Sequence, residues 1–169
     1  ISPTKAYYYA HEEGTVIVWD PSELEIVGEI AAPDGYLRDG FTSSTSPSIV
    51  RGNRLFRTVY WENQDAGRRS EDQLLLVYDT ERDELVASVP ETRCPALGNR
   101  AFAAEDGTLY FSNWIWAVSD TLLYDGQEHC LLRIEPDAEQ FDPEWSLSYS
   151  EIADGREGAM FTYVKDGKG

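Results

Sequence analysis

The sequence predicts an all-β protein made of about three four-stranded antiparallel meanders, arranged as β-propeller blades. Three observations carry that expectation. No long segment places apolar residues at i, i+3, i+4 and i+7 between caps, so helical periodicity is scarce. Short β runs punctuated by Gly, Asp, Asn and Pro recur along the whole chain. Three of those runs superpose: Val16-Ile17-Val18-Trp19-Asp20-Pro21, Leu75-Leu76-Val77-Tyr78-Asp79-Thr80 and Leu131-Leu132-Arg133-Ile134-Glu135-Pro136. Each is apolar, ends in an acid and runs into a turn. Asp20 to Asp79 is 59 positions (79 − 20) and Asp79 to Glu135 is 56 (135 − 79). A regular period of this order marks propeller blades or similar arrays.

Taken in order, the blades fall at roughly 1–33, 45–92 and 98–153, with the start of a further one at 158–169. The acid closes the third strand of a blade, where its carboxylate can accept hydrogen bonds from turn N–H groups. The runs that follow, Ile26 to Ile30 and Leu85 to Val89, are then fourth, outer strands. The first two strands of the second blade are Pro47 to Val50 and Arg54 to Tyr60, joined by Arg51-Gly52-Asn53. Those of the third are Arg100 to Glu105 and Thr108 to Asn113, joined by the hairpin signal Asp106-Gly107. The link between second and third strands is inflated, as Glu62 to Asp72 in one blade and Trp114 to His129 in the next. Insertions at one point of a repeat emerge on one face, often the binding face.

Closed propellers have about four to eight blades. Three therefore imply a segment of a larger propeller or an open stack. Ile1 opens in mid-pattern and the end, Val164 to Gly169, reads as the turn after another strand, so both ends are expected to be cuts through a longer protein.

The 169 residues, 41% of them hydrophobic, are enough for one domain, 1–169, with a real core. The net charge of −17 repels nucleic acid and anionic membranes, so neither is an expected partner. No stretch reaches the ~20 apolar residues of a membrane span, and no signal segment opens the chain.

Catalytic signatures are missing: there is no Gly-x-Ser-x-Gly elbow and no phosphate-cradling glycine loop. His11, in the polar turn Ala10 to Gly14, is expected to be exposed, and His129 stands beside Cys130. Neither belongs to a cluster of the kind a zinc or copper site needs, and no calcium loop is present, so no metal and no cofactor is expected. A glycosidase pair of carboxylates could converge from 31 acids, but nothing selects two of them. The expected function is a non-catalytic binding or scaffold module for an unknown protein or small-molecule ligand. The alternative is a propeller hydrolase or lyase using carboxylates at the axial opening.

Cys94 and Cys130 are the only cysteines. They could be buried thiols, or a disulfide that pins the long insertion onto the neighbouring loop, which an exported protein would permit. Within the insertion, Asn113 to Tyr124 is unusually apolar. Either it buries its own aromatics over a blade edge, or Trp116 and Tyr124 present flat surfaces to a ligand or partner. The linker Tyr36 to Phe41 should reach the face with the axial opening, making Arg38 and Asp39 candidate rim residues, or simply paired surface charges.

The runs Ile1 to Tyr7, Val16 to Pro21 and Ile26 to Ile30 resemble exported seven-bladed propeller lipoproteins of the myxobacterial type, one member of which is encoded with genes for the siderophore myxochelin. Arg93-Cys94-Pro95, Cys130 to Ile134, Phe141-Asp142-Pro143 and Gly155-Arg156 are similar to the same family. The resemblance implies an extracytoplasmic, lipid-anchored, non-enzymatic protein: periplasmic, outer-membrane-anchored or secreted. It carries over no functional residue.

Overall fold

The computed structural model describes residues 2–45, 47–63, 65–94, 97, 100–112, 130–152 and 154. The fold is all-β, with three consecutive antiparallel sheets, none closed on itself. The first is the meander β1 (Ala6–Ala10), β2 (Thr15–Asp20) and β3 (Glu25–Ala31). The second has the order β4 (Thr42–Thr45), β6 (Arg54–Asn63), β8 (Gln73–Asp79), β9 (Glu84–Glu91). Two short strands, β5 (Ile49–Arg51) and β7 (Arg68–Arg69), also pair with β6. The third runs β10 (Arg100–Ala103), β11 (Leu109–Ser112), β12 (Cys130–Ile134), β13 (Leu147–Ser148), followed by a helical turn at Tyr149–Ile152.

β4 and β5 are two halves of one edge strand lying along β6. Thr45 faces Val59 and Ile49 faces Phe56, so four steps on one side match three on the other. Pro47 lies in this interruption, where it removes a ladder donor. Pairing begins at Thr42, ahead of position 45, because the Thr and Ser run extends along β6 as far as Glu62.

The repeat read from the sequence has a structural counterpart in the first two sheets. The Asp20 Oδ1 accepts from the Ser22 and Glu23 amides at 2.8 and 3.4 Å. The Asp79 Oδ1 accepts from Glu81 and Arg82 at 2.9 and 3.0 Å. The turns end in left-handed residues, Leu24 (φ 60°) and Asp83 (φ 55°), and each third strand bulges at one place, Val18/Trp19 and Val77/Tyr78. All three features recur at an offset of 59. In the third sheet the Glu135 carboxylate does not take the place that Asp20 and Asp79 take in their turns. It reaches Arg133 at 3.4 Å instead, and Asp142 caps the Glu144 amide at 2.9 Å.

The second sheet lies between the other two. One of its faces places Phe56, Leu75 and Val77 against Leu109, Phe111, Leu132 and Phe141 of the third. The other places Val59, Trp61, Leu76 and Tyr78 against Val16, Val18, Ile30 and Tyr36 of the first. All seven residues of β8 are buried for that reason. Each such apolar side chain taken from water contributes about 1.5 to 3 kcal/mol. Equivalent ion pairs clip neighbouring sheets. Lys5, just before β1, meets Asp83 at 2.8 Å, and Arg54, at the start of β6, meets Glu139 at 2.5 Å.

Asp79 shows how this geometry sets pH dependence. The Arg82 amide first, then the Glu81 amide and the Arg82 guanidinium, hold its carboxyl down to about 2. A folded value below the unfolded one gives stability that is full above the ordinary aspartate range and lost as pH falls through it toward about 2. Asp79→Asn should therefore flatten the acid limb of a urea-midpoint profile over that window. Asp79→Ala should lower the midpoint more than Asp20→Ala, because Asp79 also pairs with Arg54 at 2.7 Å while Asp20 serves only its own turn.

Cys94 and Cys130 form a disulfide with Cα atoms 5.2 Å apart, within the range the bond requires. It joins the chain leaving β9 to the first residue of β12. The Gln73 side chain holds the same loop, donating to the carbonyls of Arg93 and Cys94 at 2.9 and 2.7 Å and accepting from the Leu97 amide at 2.9 Å.

Candidate functional site

The linker from the first to the second sheet folds into two tight turns, closed by Tyr36 N–H to Pro33 O at 3.1 Å and Phe41 N–H to Arg38 O at 3.1 Å. Gly35 (φ 77°) and Gly40 (φ 75°) supply the left-handed positions these turns need. Trp61 anchors the linker from below. Its indole N–H donates to the Tyr36 carbonyl at 2.6 Å, and the Tyr36 ring meets it edge-on at 6.5 Å. The Arg38 guanidinium lies 3.3 Å from the centre of the Trp61 ring and grips Asp72 with both terminal nitrogens, at 2.8 and 2.7 Å. Asp72 is the last residue of the Glu62–Asp72 link, next to the start of β8, so the contact joins the linker to the foot of that link.

Between the linker, the β1–β2 turn and β4 lies a cleft of about 340 Å³, whose lining includes His11, Tyr36, Arg38, Asp39 and Ser43 together with the apolar Leu37. Three neutral polar groups meet in its wall. His11 Nδ1 is 3.3 Å from the Tyr36 hydroxyl and 3.5 Å from Ser43 Oγ, and the two hydroxyls are 3.4 Å apart. Burial first, then the charge of Arg57, lowers the His11 pKa, so the imidazole is neutral at neutral pH. Such a trio can both donate to and accept from a ligand. It is flanked by the Tyr36 ring and Phe41, which also lines the cleft.

Behind this wall sits Arg57, in mid-β6 and only 1% exposed. Its guanidinium stacks on Tyr9, 3.2 Å from the ring centre, and its other close polar neighbours are Tyr36 and Tyr78. The Tyr9 hydroxyl is 2.9 Å from Ser48 Oγ, in the interruption of the edge strand between β4 and β5. Burial pushes the Arg57 guanidinium below its ordinary value.

Of the four binding candidates read from the sequence, Arg38 and Asp39 line the cleft. Arg38 pairs with Asp72 rather than with its neighbour Asp39, which is exposed. Trp116 and Tyr124 lie outside the described residues, as does the rest of the insertion up to His129. Cys94 and Cys130 belong to the core between the second and third sheets and take no part in the cleft.

Four residues escaped the sequence reading. His11 was expected in an exposed turn but is half-buried, because the linker folds back over the turn and Tyr36 and Ser43 meet it. Tyr36 and Ser43 carry no sequence signal of their own. Arg57 did carry one, since a cation interrupts the apolar run Leu55-Phe56-Arg57-Thr58-Val59. Among the described residues no three His, Cys, Asp or Glu side chains gather as a metal site, and no helix is long and apolar enough to cross a membrane. No protein-family model and no curated protein matches the chain.

Proposed function

We propose that the chain is a run of β-propeller blades acting outside the cytoplasm as a non-catalytic binding module, with its ligand seated in the cleft between the first two sheets. The observation that carries this reading is the His11–Tyr36–Ser43 trio. It sets neutral donors and acceptors beside aromatic surface in a concave site, the usual make-up of a small-molecule pocket. Three features support the propeller reading: face-to-face stacking of consecutive meanders, sheet-to-sheet ion pairs recurring at equivalent positions, and a shared turn and bulge at one offset. The disulfide and the resemblance to exported propeller lipoproteins support the compartment.

The test is a thermal-shift screen of the protein against sugars, iron-chelating siderophores and divalent metals, repeated on Ser43→Phe, which fills the cleft. Hits should stabilise the unmodified protein saturably, perturb the His11 ring signals in NMR, and bind Ser43→Phe at least about tenfold more weakly. Hits that bind Ser43→Phe unchanged would remove the cleft from consideration. Chemical conversion of a bound hit would make the protein an enzyme and end the non-catalytic reading.

A further inference from the structure

Two guanidinium nitrogens of Arg57, Nε and Nη2, have no hydrogen-bond partner among the described residues. These two N–H groups lie side by side on one edge of the guanidinium plane and point the same way. Arg93 shows what that edge does in this molecule. Its Nε donates to one oxygen of the Glu91 carboxylate at 3.0 Å and its Nη2 to the other at 2.7 Å. Arg133 uses the same two nitrogens on Asp142, at 2.9 and 2.6 Å. Arg57 thus presents a carboxylate-gripping fork with no carboxylate among the described residues, at a position almost wholly removed from water.

A buried cation of this kind is expensive. It is almost wholly withdrawn from bulk solvent, the Tyr9 ring and hydroxyl offset only part of the lost hydration, and two donors without a protein partner among the described residues add their own desolvation cost. A carboxylate would meet both donors and the charge at once, with the bidentate geometry that planar acids share with guanidinium. Arg57 does not itself line the cleft: it lies beyond the wall formed by His11 and Tyr36, on which its charge acts, so a carboxylate would have to extend past that wall to reach it. The ladder of the edge strand is interrupted opposite Arg57 and Thr58.

We infer that Arg57 is the anchor of a carboxylate-binding site, and that the ligand of the cleft carries a carboxylate held by its Nε and Nη2 edge. This rests on the reading of the cleft as the binding site and names the charged group its ligand must bring. The net charge of −17 opposes anions at long range, so the fork acts by local, desolvated contact rather than by steering.

Acetate and benzoate can be titrated against the protein, with acetamide and benzamide as uncharged isosteres and sodium chloride matching ionic strength. The acids should raise Tm saturably and raise the pKa of His11 as they neutralise the Arg57 charge. The amides should do neither. Arg57→Met, similar in length but without charge or donors, should keep the fold, because it removes an unpaired buried cation, and should lose the response to both acids. Should Arg57→Met fail to fold, Arg57→Lys keeps the charge without the fork and should weaken acid binding at least about tenfold. Acids and amides acting alike, or acids acting equally on the Arg57 variants, would overturn the inference. So would the absence of any acid response in the unmodified protein, which would mean that the fork is already satisfied. Acid binding lost in Arg57→Met but unchanged in Ser43→Phe would leave Arg57 as the anchor and refute the cleft instead.

Discussion

Trp61→Ala should cost about 3 to 5 kcal/mol, the range for deleting a large buried aromatic, and should abolish ligand binding at the cleft in the same step. Trp61 is wholly buried at the contact between the first and second sheets, and it also holds the linker that forms one wall of the cleft. Its removal empties core volume, frees the Tyr36 carbonyl and takes away the surface on which Arg38 lies. Trp61→Phe separates these roles. It keeps most of the packing but loses the indole N–H, so its stability loss should be about 1 to 3 kcal/mol, the cost of an unmet buried acceptor. Urea midpoints of both variants, read beside the His11 NMR signals, check the pair of effects. A Trp61→Ala protein with unaltered His11 signals would show that the linker stands without its anchor.

Breaking the Cys94–Cys130 bond should cost about 4 kcal/mol, since it closes a loop over a sequence separation of 36 residues and chiefly restricts the unfolded chain. The double variant Cys94→Ala/Cys130→Ala avoids placing unpaired hydroxyls among the apolar residues around both sulfurs. Denaturant titration gives the size. Hydrogen exchange gives the place: amides of β11 and β12 should lose protection well before those of β1 and β2, because the bond ties the third sheet to the second and makes no contact with the first. An even loss across all three sheets would mean that they unfold as one unit, with the bond acting on the whole.

Strand positions were legible wherever a local rule acts alone. Short apolar runs punctuated by turn residues marked Thr15–Asp20 and Gln73–Asp79, and Asp106-Gly107 marked the β10–β11 turn, where Asp106 accepts from the Thr108 amide at 2.9 Å. The acid at the end of a third strand was legible too, but its chemistry was not uniform. Asp20 and Asp79 accept from their turn amides, whereas Glu135 meets Arg133 instead. The pairing of the cysteines was one of two open readings, since sequence spacing says nothing about Cα separation.

The cleft was far less legible. Arg38 and Asp39 were picked for their place in a linker, and Arg38 lies there because Trp61 and Asp72, one 23 and the other 34 residues further on, supply its stacking face and its counter-ion. His11, Ser43 and Arg57 gain their meaning only from residues far away in the chain.

By itself the sequence determined the β character and the repeat with its turns, because these follow from side-chain periodicity and local hydrogen bonding. Only the tertiary structure decided that the second sheet is covered on both faces, that a neutral trio lines a cleft, and that an arginine fork lies buried without a carboxylate among the described residues. Burial and the matching of donors to acceptors depend on which distant strands face one another, and no local pattern encodes that.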